Sequence, residues 1–383
     1  MRFEFLAPHR IVFGPGVAPG VADTAASLGT RLFVITGGDP DRAAWLFKAC
    51  AEKRVPTVQF SVRGEPSLDA VRAGTAAARG AHCDVIIAVG GGSVLDSGKA
   101  IAALLSNGGD PLDYVEVIGG GQTLRKPALP CIAVPTTAGT GAEVTRNAVL
   151  ASPEHVVKAS LRSPYLLPAI AVIDPELMQT MPPDVTAATG LDALTQLIEP
   201  FVSPAATPLT DYFCREGLSR ARALRRAYAN GADLGAREDM ALASLLGGFA
   251  LAHAKLGIVH GCAAALGAKL HAPHGAICAR LLPYAMTANV AALSERAPGS
   301  PAIARYEQIA RTLTGTPEAT IADGIRWVHQ LVMDCRVPAL REHGLTEDSI
   351  STVVAEAQRA SSTKGNPIPL SDAELDGLLR QAL

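Results

Sequence analysis

Aromatic side chains are scarce, at 4% of 383 residues, so the core has to be built mostly from alanine, leucine and valine. An excess of charge is also missing. Lys and Arg number 34 against 36 Asp and Glu, and charged residues are only 18% of the chain. That balance removes any electrostatic reason to seek nucleic acid or an anionic membrane. The seven cysteines, Cys50, Cys83, Cys131, Cys214, Cys262, Cys278 and Cys335, are scattered, with no CxxC pair. Neither a disulfide framework nor a cysteine zinc site is indicated, which predicts a reducing compartment and a cytoplasmic location. The first ten residues, MRFEFLAPHR, contain charges and no apolar core segment, which argues against a signal peptide. Glycine, histidine or charge breaks every apolar run before the ~18 residues of a membrane span, so none is predicted.

The length exceeds the ~250–300 residues at which one hydrophobic core stops growing, which predicts two domains. In the first half, the apolar runs RLFVITGG (31–38), TVQFSV (57–62), CDVIIAVGGG (83–92), CIAVPTT (131–137) and AIAVIDP (169–175) end in glycine, proline or threonine. They read as buried strands. Segments of helical spacing separate them, and such alternation predicts an α/β fold with a parallel sheet covered on both faces. After Asp174 the strand pattern stops and the segments become helical. The expectation is a dinucleotide-binding α/β domain over 1–178 and an all-helical domain over 179–383. One polar stretch near the end, SSTKGNPIPLSD, reads as linker-like.

Two loops carry candidate chemistry. After the third run, Gly90, Gly91, Gly92 and Ser93 lead from a strand into a helix, where close backbone approach and free N–H groups suit a pyrophosphate. A tight strand-to-helix turn is the plainer alternative. The segment VPTTAGTGAEVTRNAV follows the next run and offers Thr136, Thr137 and Thr140. Two polar glycine loops beyond the ends of one sheet favour a nucleotide. The glycines of FGPGVAPG lack the G-x-G-x-x-G spacing and read as a supporting turn.

Further on, Asp192 and Gln196 stand four apart in TGLDALTQLIEP, on one face of an apolar helix where an unpaired carboxylate is costly. His260 and His274, each followed by glycine, supply imidazoles. Two imidazoles and a carboxylate suffice for a catalytic zinc or iron(II) site. A lone histidine in an alanine-rich helix is more often a packed core residue, and spacing does not decide between the two.

Taken in order, AVGGGSVLDSGKAIA, PTTAGTGAEVTRNAV, VIDPELMQTMPPDVTAATGLDAL and GIVHGCAAALGAKLHAPHGAICARLLP resemble the group III, or iron-containing, alcohol dehydrogenases of the dehydroquinate synthase-like superfamily. The resemblance implies a Rossmann-like domain followed by a helical one, with metal and substrate in the cleft between them, and a homodimer. It implies NAD or NADP bound by Gly37, Gly91, Gly92, Ser93, Asp96, Thr136, Thr137, Thr140 and Lys158. It places Asp192, Gln196, His260 and His274 on the family's four metal positions, for Fe2+ or Zn2+. Gln196 departs from the usual histidine, and Ala264 stands where the family usually has another histidine one turn after the His260 position.

The implied reaction is NAD(P)-dependent interconversion of a small alcohol and an aldehyde or ketone by hydride transfer, assisted by the metal. His260, His274 and Lys158 are candidates for stabilising the developing oxyanion, and His253 or His271 for carrying the proton. Thr36, Gly37 and Gly38 at the second strand tip leave Asp39 beyond the family's acidic place, so NADP is tolerable and Arg42 can assist. The alternatives are a metal-independent reductase like the maleylacetate reductases, a cyclase or lyase like dehydroquinate synthase, and a non-catalytic nucleotide binder.

Overall fold

The structure is a computed structural model that describes residues 2–155, 157–267, 269–270 and 272–383; His271 lies outside the described residues. It divides into two compact units. One comprises residues 5–137 and 141–179, the other residues 1–4, 138–140 and 180–383.

Among the described residues, the first unit holds eight strands: β1 (Arg10–Phe13), β2 (Leu32–Thr36), β3 (Thr57–Ser61), β4 (Val85–Gly90), β5 (Cys131–Pro135), β6 (Asn147–Ser152), β7 (Val157–Arg162) and β8 (Ile170–Ile173). Its helices are α1 (Val21–Ala26), α2 (Ala44–Glu52), α3 (Leu68–Gly80), α4 (Gly92–Asn107) and α5 (Pro111–Tyr114). Six strands form a wholly parallel sheet in the order β1-β8-β5-β4-β2-β3, while β6 and β7 make a separate antiparallel hairpin.

Burial explains why the central strands read as continuous apolar runs. Every residue of β2, β4, β5 and β8 is buried, because a parallel sheet has helices on both faces. Successive side chains serve opposite cores. Phe33 and Ile35 pack with Val71 and Ile101 of α3 and α4, and Leu32 and Val34 pack with Val21 and Leu46 of α1 and α2. Strands β3 and β2 lie to one side and β4 and β5 to the other, so the order of winding reverses between β2 and β4. Ligands of open α/β sheets bind at such a reversal, beyond the carboxyl ends of the strands. The FGPGVAPG segment is a turn pegged by the buried Asp174 carboxylate, which accepts from the Gly16 and Ala18 amides at 3.1 and 2.8 Å.

The second unit is helical: α6 (Pro183–Val202), α7 (Pro208–Ala221), α8 (Leu224–Ala229), α9 (Leu234–Ala254), α10 (Ile258–Leu266), α11 (His274–Arg296), α12 (Pro301–Thr314), α13 (Ile321–Asp334), α14 (Ile350–Arg359) and α15 (Asp372–Ala382). Helix α6 is its axis. Every residue from Gly190 to Val202 is buried, since α7, α9 and α11 enclose it. A helix apolar all round belongs in such a position, and its few polar residues stand out. Helices α9 and α10 meet at a 96° bend, turned by Lys255 at φ +65°. Helix α11 is long and apolar enough to cross a membrane, but 67% of its apolar stretch is buried inside the protein, as in a core helix.

The stretch that reads as linker-like is in fact docked. Asn366 is buried, and its Nδ2 donates to Asn289 Oδ1 at 2.6 Å and to the Ile368 carbonyl at 2.7 Å. Composition made the segment look solvated; side-chain amide pairing, which composition does not report, holds it in place.

Candidate metal centre and coenzyme edge

Three loops gather at the carboxyl edge of the sheet because the strands before them are neighbours in register. Thr36 of β2 pairs with Val89 of β4, and Gly90 of β4 with Pro135 of β5. The residues that follow, Gly37, Gly91 to Ser93, and Thr136 and Thr137, therefore lie side by side. Helix α4 begins at Gly92 with no side-chain cap, leaving amides at its first turn available to an anion. The Thr136 amide donates to the Gly90 carbonyl at 3.0 Å, tying the glycine loop to the threonine loop. Thr140 belongs with residues 138–140 to the helical unit, where Gly139 packs on Thr189 of α6.

Asp96 and Lys158 are engaged within the first unit. Asp96 pairs with the buried Lys99 ammonium at 2.8 Å and accepts from the Val149 amide at 2.9 Å, which fixes the hairpin behind the glycine loop. Lys158 on β7 pairs with Glu65 at 3.1 Å. Beyond β2, Asp39 caps residues 40–43 by accepting from the Asp41 amide, and a side chain added at Gly37 would meet nothing within 4 Å.

The second centre is built on two helices that almost touch. A Cβ on Gly275 would lie 2.3 Å from the Ala188 carbonyl, so only glycine lets α11 pass α6 at this distance. The approach sets His274 of α11 over Asp192 of α6, and the bend before α10 delivers His260. Asp192, His260, His274 and Cys278 each present a donor atom, all within 4.8 Å of one another. Asp192 Oδ1 is 3.4 Å from His260 Nε2 and 4.0 Å from His274 Nε2, and the two imidazoles lie 5.5 Å apart. His274 Nε2 is 3.6 Å from Cys278 Sγ. Asp192, His260 and Cys278 are buried, and His274 is half-buried.

Glu199, which is not among the candidate site residues of the sequence, orders the centre. Its carboxylate accepts from the Val259 amide at 2.7 Å and meets His260 Nδ1 at 2.6 Å. Beside it, Asn366 Oδ1 accepts from the Ile258 amide at 3.1 Å, so two side chains cap the start of α10. Gly257 makes room: a Cβ there would stand 2.9 Å from Glu199 Oε1 and 3.0 Å from Asn366 Oδ1. With Nδ1 donating to Glu199, His260 directs Nε2 toward Asp192.

Electrostatics couple the group. Burial by itself would lower the His260 pKa, but the Glu199 and Asp192 carboxylates outweigh it and push it up to about 10. Burial would raise Asp192, and contact with His260 and the charge of His274 hold it below the ordinary carboxylate range. A proton between two carboxylates thus occupies the place a cation can take. Gln196 donates from Nε2 to Asp192 Oδ2 at 3.0 Å, while its Oε1 is buried without a hydrogen-bond partner. His253, at the end of α9 with Nδ1 2.8 Å from the Phe249 carbonyl, stands outside the group of close donors. Ala264 is exposed, one turn beyond His260.

Comparison with known proteins places this architecture. The profile of the iron-containing alcohol dehydrogenases matches residues 8–175, and that of the family's C-terminal region matches residues 186–383. The 1,3-propanediol dehydrogenase of Klebsiella pneumoniae is 36% identical over 99% of the chain and 98% of that protein. The choline dehydrogenase of Bacillus subtilis is 33% identical over 96% and 92%. Among solved structures, a 1,3-propanediol oxidoreductase superposes with a TM-score of 0.92 at 33% identity over the whole of both chains. The sulfoacetaldehyde reductase of Bifidobacterium kashiwanohense in complex with NAD+ gives 0.88 at 29%, covering 99% and 98%. The chain belongs to the iron-containing alcohol dehydrogenase family and is an oxidoreductase.

Proposed function

We propose that the chain transfers hydride between NAD or NADP and a small alcohol, aldehyde or ketone, with a divalent metal ion held by Asp192, His260 and His274. The observation that carries this reading is a pair of buried atoms without hydrogen-bond partners, Asp192 Oδ1 and His260 Nε2, facing each other inside the donor cluster. Unpaired buried polar atoms cost about 1–3 kcal/mol each. A carboxylate and two imidazoles fit a divalent ion that keeps positions for substrate. When bound, the ion supplies Lewis-acid polarisation of the substrate oxygen.

The chain's own residues do the rest. Glu199 fixes the His260 tautomer, and His274, the half-exposed member, marks the side from which substrate arrives. The uncapped start of α4 offers the Gly92 and Ser93 amides to the coenzyme pyrophosphate beside Gly91, and Thr136, Thr137 and Thr140 supply hydroxyls around the nicotinamide half. Asp96 acts from behind through Lys99 and the hairpin, and Lys158 reaches the ribose. His253, whose Nδ1 lies 2.8 Å from the Phe249 carbonyl, is the candidate for carrying the proton. The strand tip carries Gly37 and not a carboxylate, with Asp39 two residues beyond it, so either coenzyme is accepted. We assign coenzyme binding to residues 1–178 and metal and substrate binding to 179–383, in a cytoplasmic homodimer. Seven free, buried thiols support the reducing compartment.

The test is metal analysis of the purified protein, then NADH- and NADPH-linked assays on a panel of aldehydes, ketones and maleylacetate before and after chelation. Asp192→Ala is expected to lose both metal and rate. A rate unchanged by Asp192→Ala or by chelation refutes the metal-assisted mechanism.

A further inference from the structure

We propose that Cys278 joins the centre as a thiolate ligand, and that this donor tunes the protein toward zinc over iron(II). The inference rests on the metal-binding reading above and extends it to a residue outside the family's four metal positions.

The centre is made of two i,i+4 pairs, one on each of the closely packed helices, plus His260. On α6 the pair is Asp192 and Gln196, and on α11 it is His274 and Cys278. Residues four apart share a helix face, so each helix aims two side chains at the cluster. The α6 pair spends its second member internally, because Gln196 turns its Nε2 donor to Asp192. An amide N–H cannot ligate a cation. The α11 pair is also in mutual contact, but a thiol can give up its proton and ligate, as an amide N–H cannot. Cys278 Sγ lies within 4.8 Å of the donor atoms of Asp192, His260 and His274, is fully buried and approaches His274 Nε2 at 3.6 Å. The sulfur is thus a fourth donor atom of the cluster, beside those of Asp192, His260 and His274.

The chemistry then discriminates between ions. Two imidazoles and one carboxylate are the donor set of non-haem iron(II), whereas thiolate is a soft donor that favours zinc. On binding, the Cys278 S–H bond breaks, its proton leaves to solvent and a sulfur electron pair forms the bond to the metal. No electron is transferred.

Metal-free protein loaded anaerobically with cobalt(II) is expected to show a thiolate-to-cobalt charge-transfer band in the near ultraviolet. Cys278→Ser should lose that band while still binding cobalt, and its preference for zinc over iron(II) should fall about tenfold or more. Zinc-edge X-ray absorption on the unmutated protein needs no variant: one sulfur at about 2.3 Å should accompany nitrogen and oxygen neighbours near 2.0–2.1 Å. Cobalt bound without the band, or zinc with nitrogen and oxygen neighbours alone, overturns the thiolate assignment and leaves the metal centre standing. Folded protein that binds neither ion removes both.

Discussion

Replacing Glu199 by glutamine changes one oxygen to an amide nitrogen and tests how the metal centre is held. The carboxylate serves two buried donors at once, the Val259 amide at 2.7 Å and His260 Nδ1 at 2.6 Å. Glutamine has a single acceptor oxygen. If that oxygen stays on Val259, the new NH2 faces His260 Nδ1, which must then accept. The imidazole proton moves to Nε2, the atom directed at Asp192, and the lone pair needed for a metal is lost. If the oxygen turns to His260, the Val259 N–H is stranded against another donor at a cost of about 1–3 kcal/mol. Removing a carboxylate that orients a ligating histidine typically costs 10–100-fold in metal affinity, so Glu199→Gln should weaken zinc or iron(II) binding by about that factor, read by competition with a chromophoric chelator. In the metal-free variant, the His260 pKa should fall from about 10, visible by NMR titration. A folded variant with unchanged metal affinity and an unchanged His260 titration would refute the reasoning.

Three further outcomes are expected. Gly275→Ala places a Cβ 2.3 Å from the Ala188 carbonyl and 3.3 Å from the Asp192 Cβ; it should cost about 1–3 kcal/mol in denaturant unfolding through overpacking and lower metal content, and wild-type stability would count against the helix contact. Glu143 is fully buried, and desolvation raises its pKa from an ordinary 4.5 to about 7 against its own backbone N–H and Lys99. Because the folded value is the higher one, its contribution to stability is complete below pH 4.5 and is lost as pH rises through 7, a loss of ~3 kcal/mol. Glu143→Gln should therefore gain on the wild type between pH 4.5 and 8 in thermal melts, and a pH-independent difference would refute the burial argument. Gly37→Asp puts a carboxylate at the tip of β2, where there is space for it; it should raise KM for NADPH far more than for NADH, and equal effects would move the ribose elsewhere.

Sequence pattern revealed some of this architecture and hid the rest for definable reasons. The runs matching β2, β4, β5 and β8 were legible because a covered parallel sheet demands unbroken apolar residues, whereas β3, a half-exposed edge strand, was legible by its β-branched and aromatic residues. Strand β1 is only four residues long and lies at the sheet edge, too short to show a period. Strand β6 alternates buried and half-buried residues, but the pattern is embedded in the segment that reads as a threonine loop. In the candidate metal centre, Asp192, His260 and His274 stood out by residue type. Glu199 did not, because its partners lie 60 and 61 residues away. A helical signal for it exists: positions 192, 196 and 199 follow the i, i+4, i+7 spacing of one face, as 274 and 278 follow i, i+4. Asking which polar residues share a face inside an otherwise apolar helix would have found both Glu199 and Cys278.

The capped start of α10 also bears on biosynthesis. One of its two caps, Asn366, comes from 108 residues downstream. Contacts so distant along the chain close late. During translation, the seat for His260 stays incomplete until residue 366 has been made and has folded back onto it, so an ion held there would load only after that point, and a stop before position 366 would leave the seat unfinished.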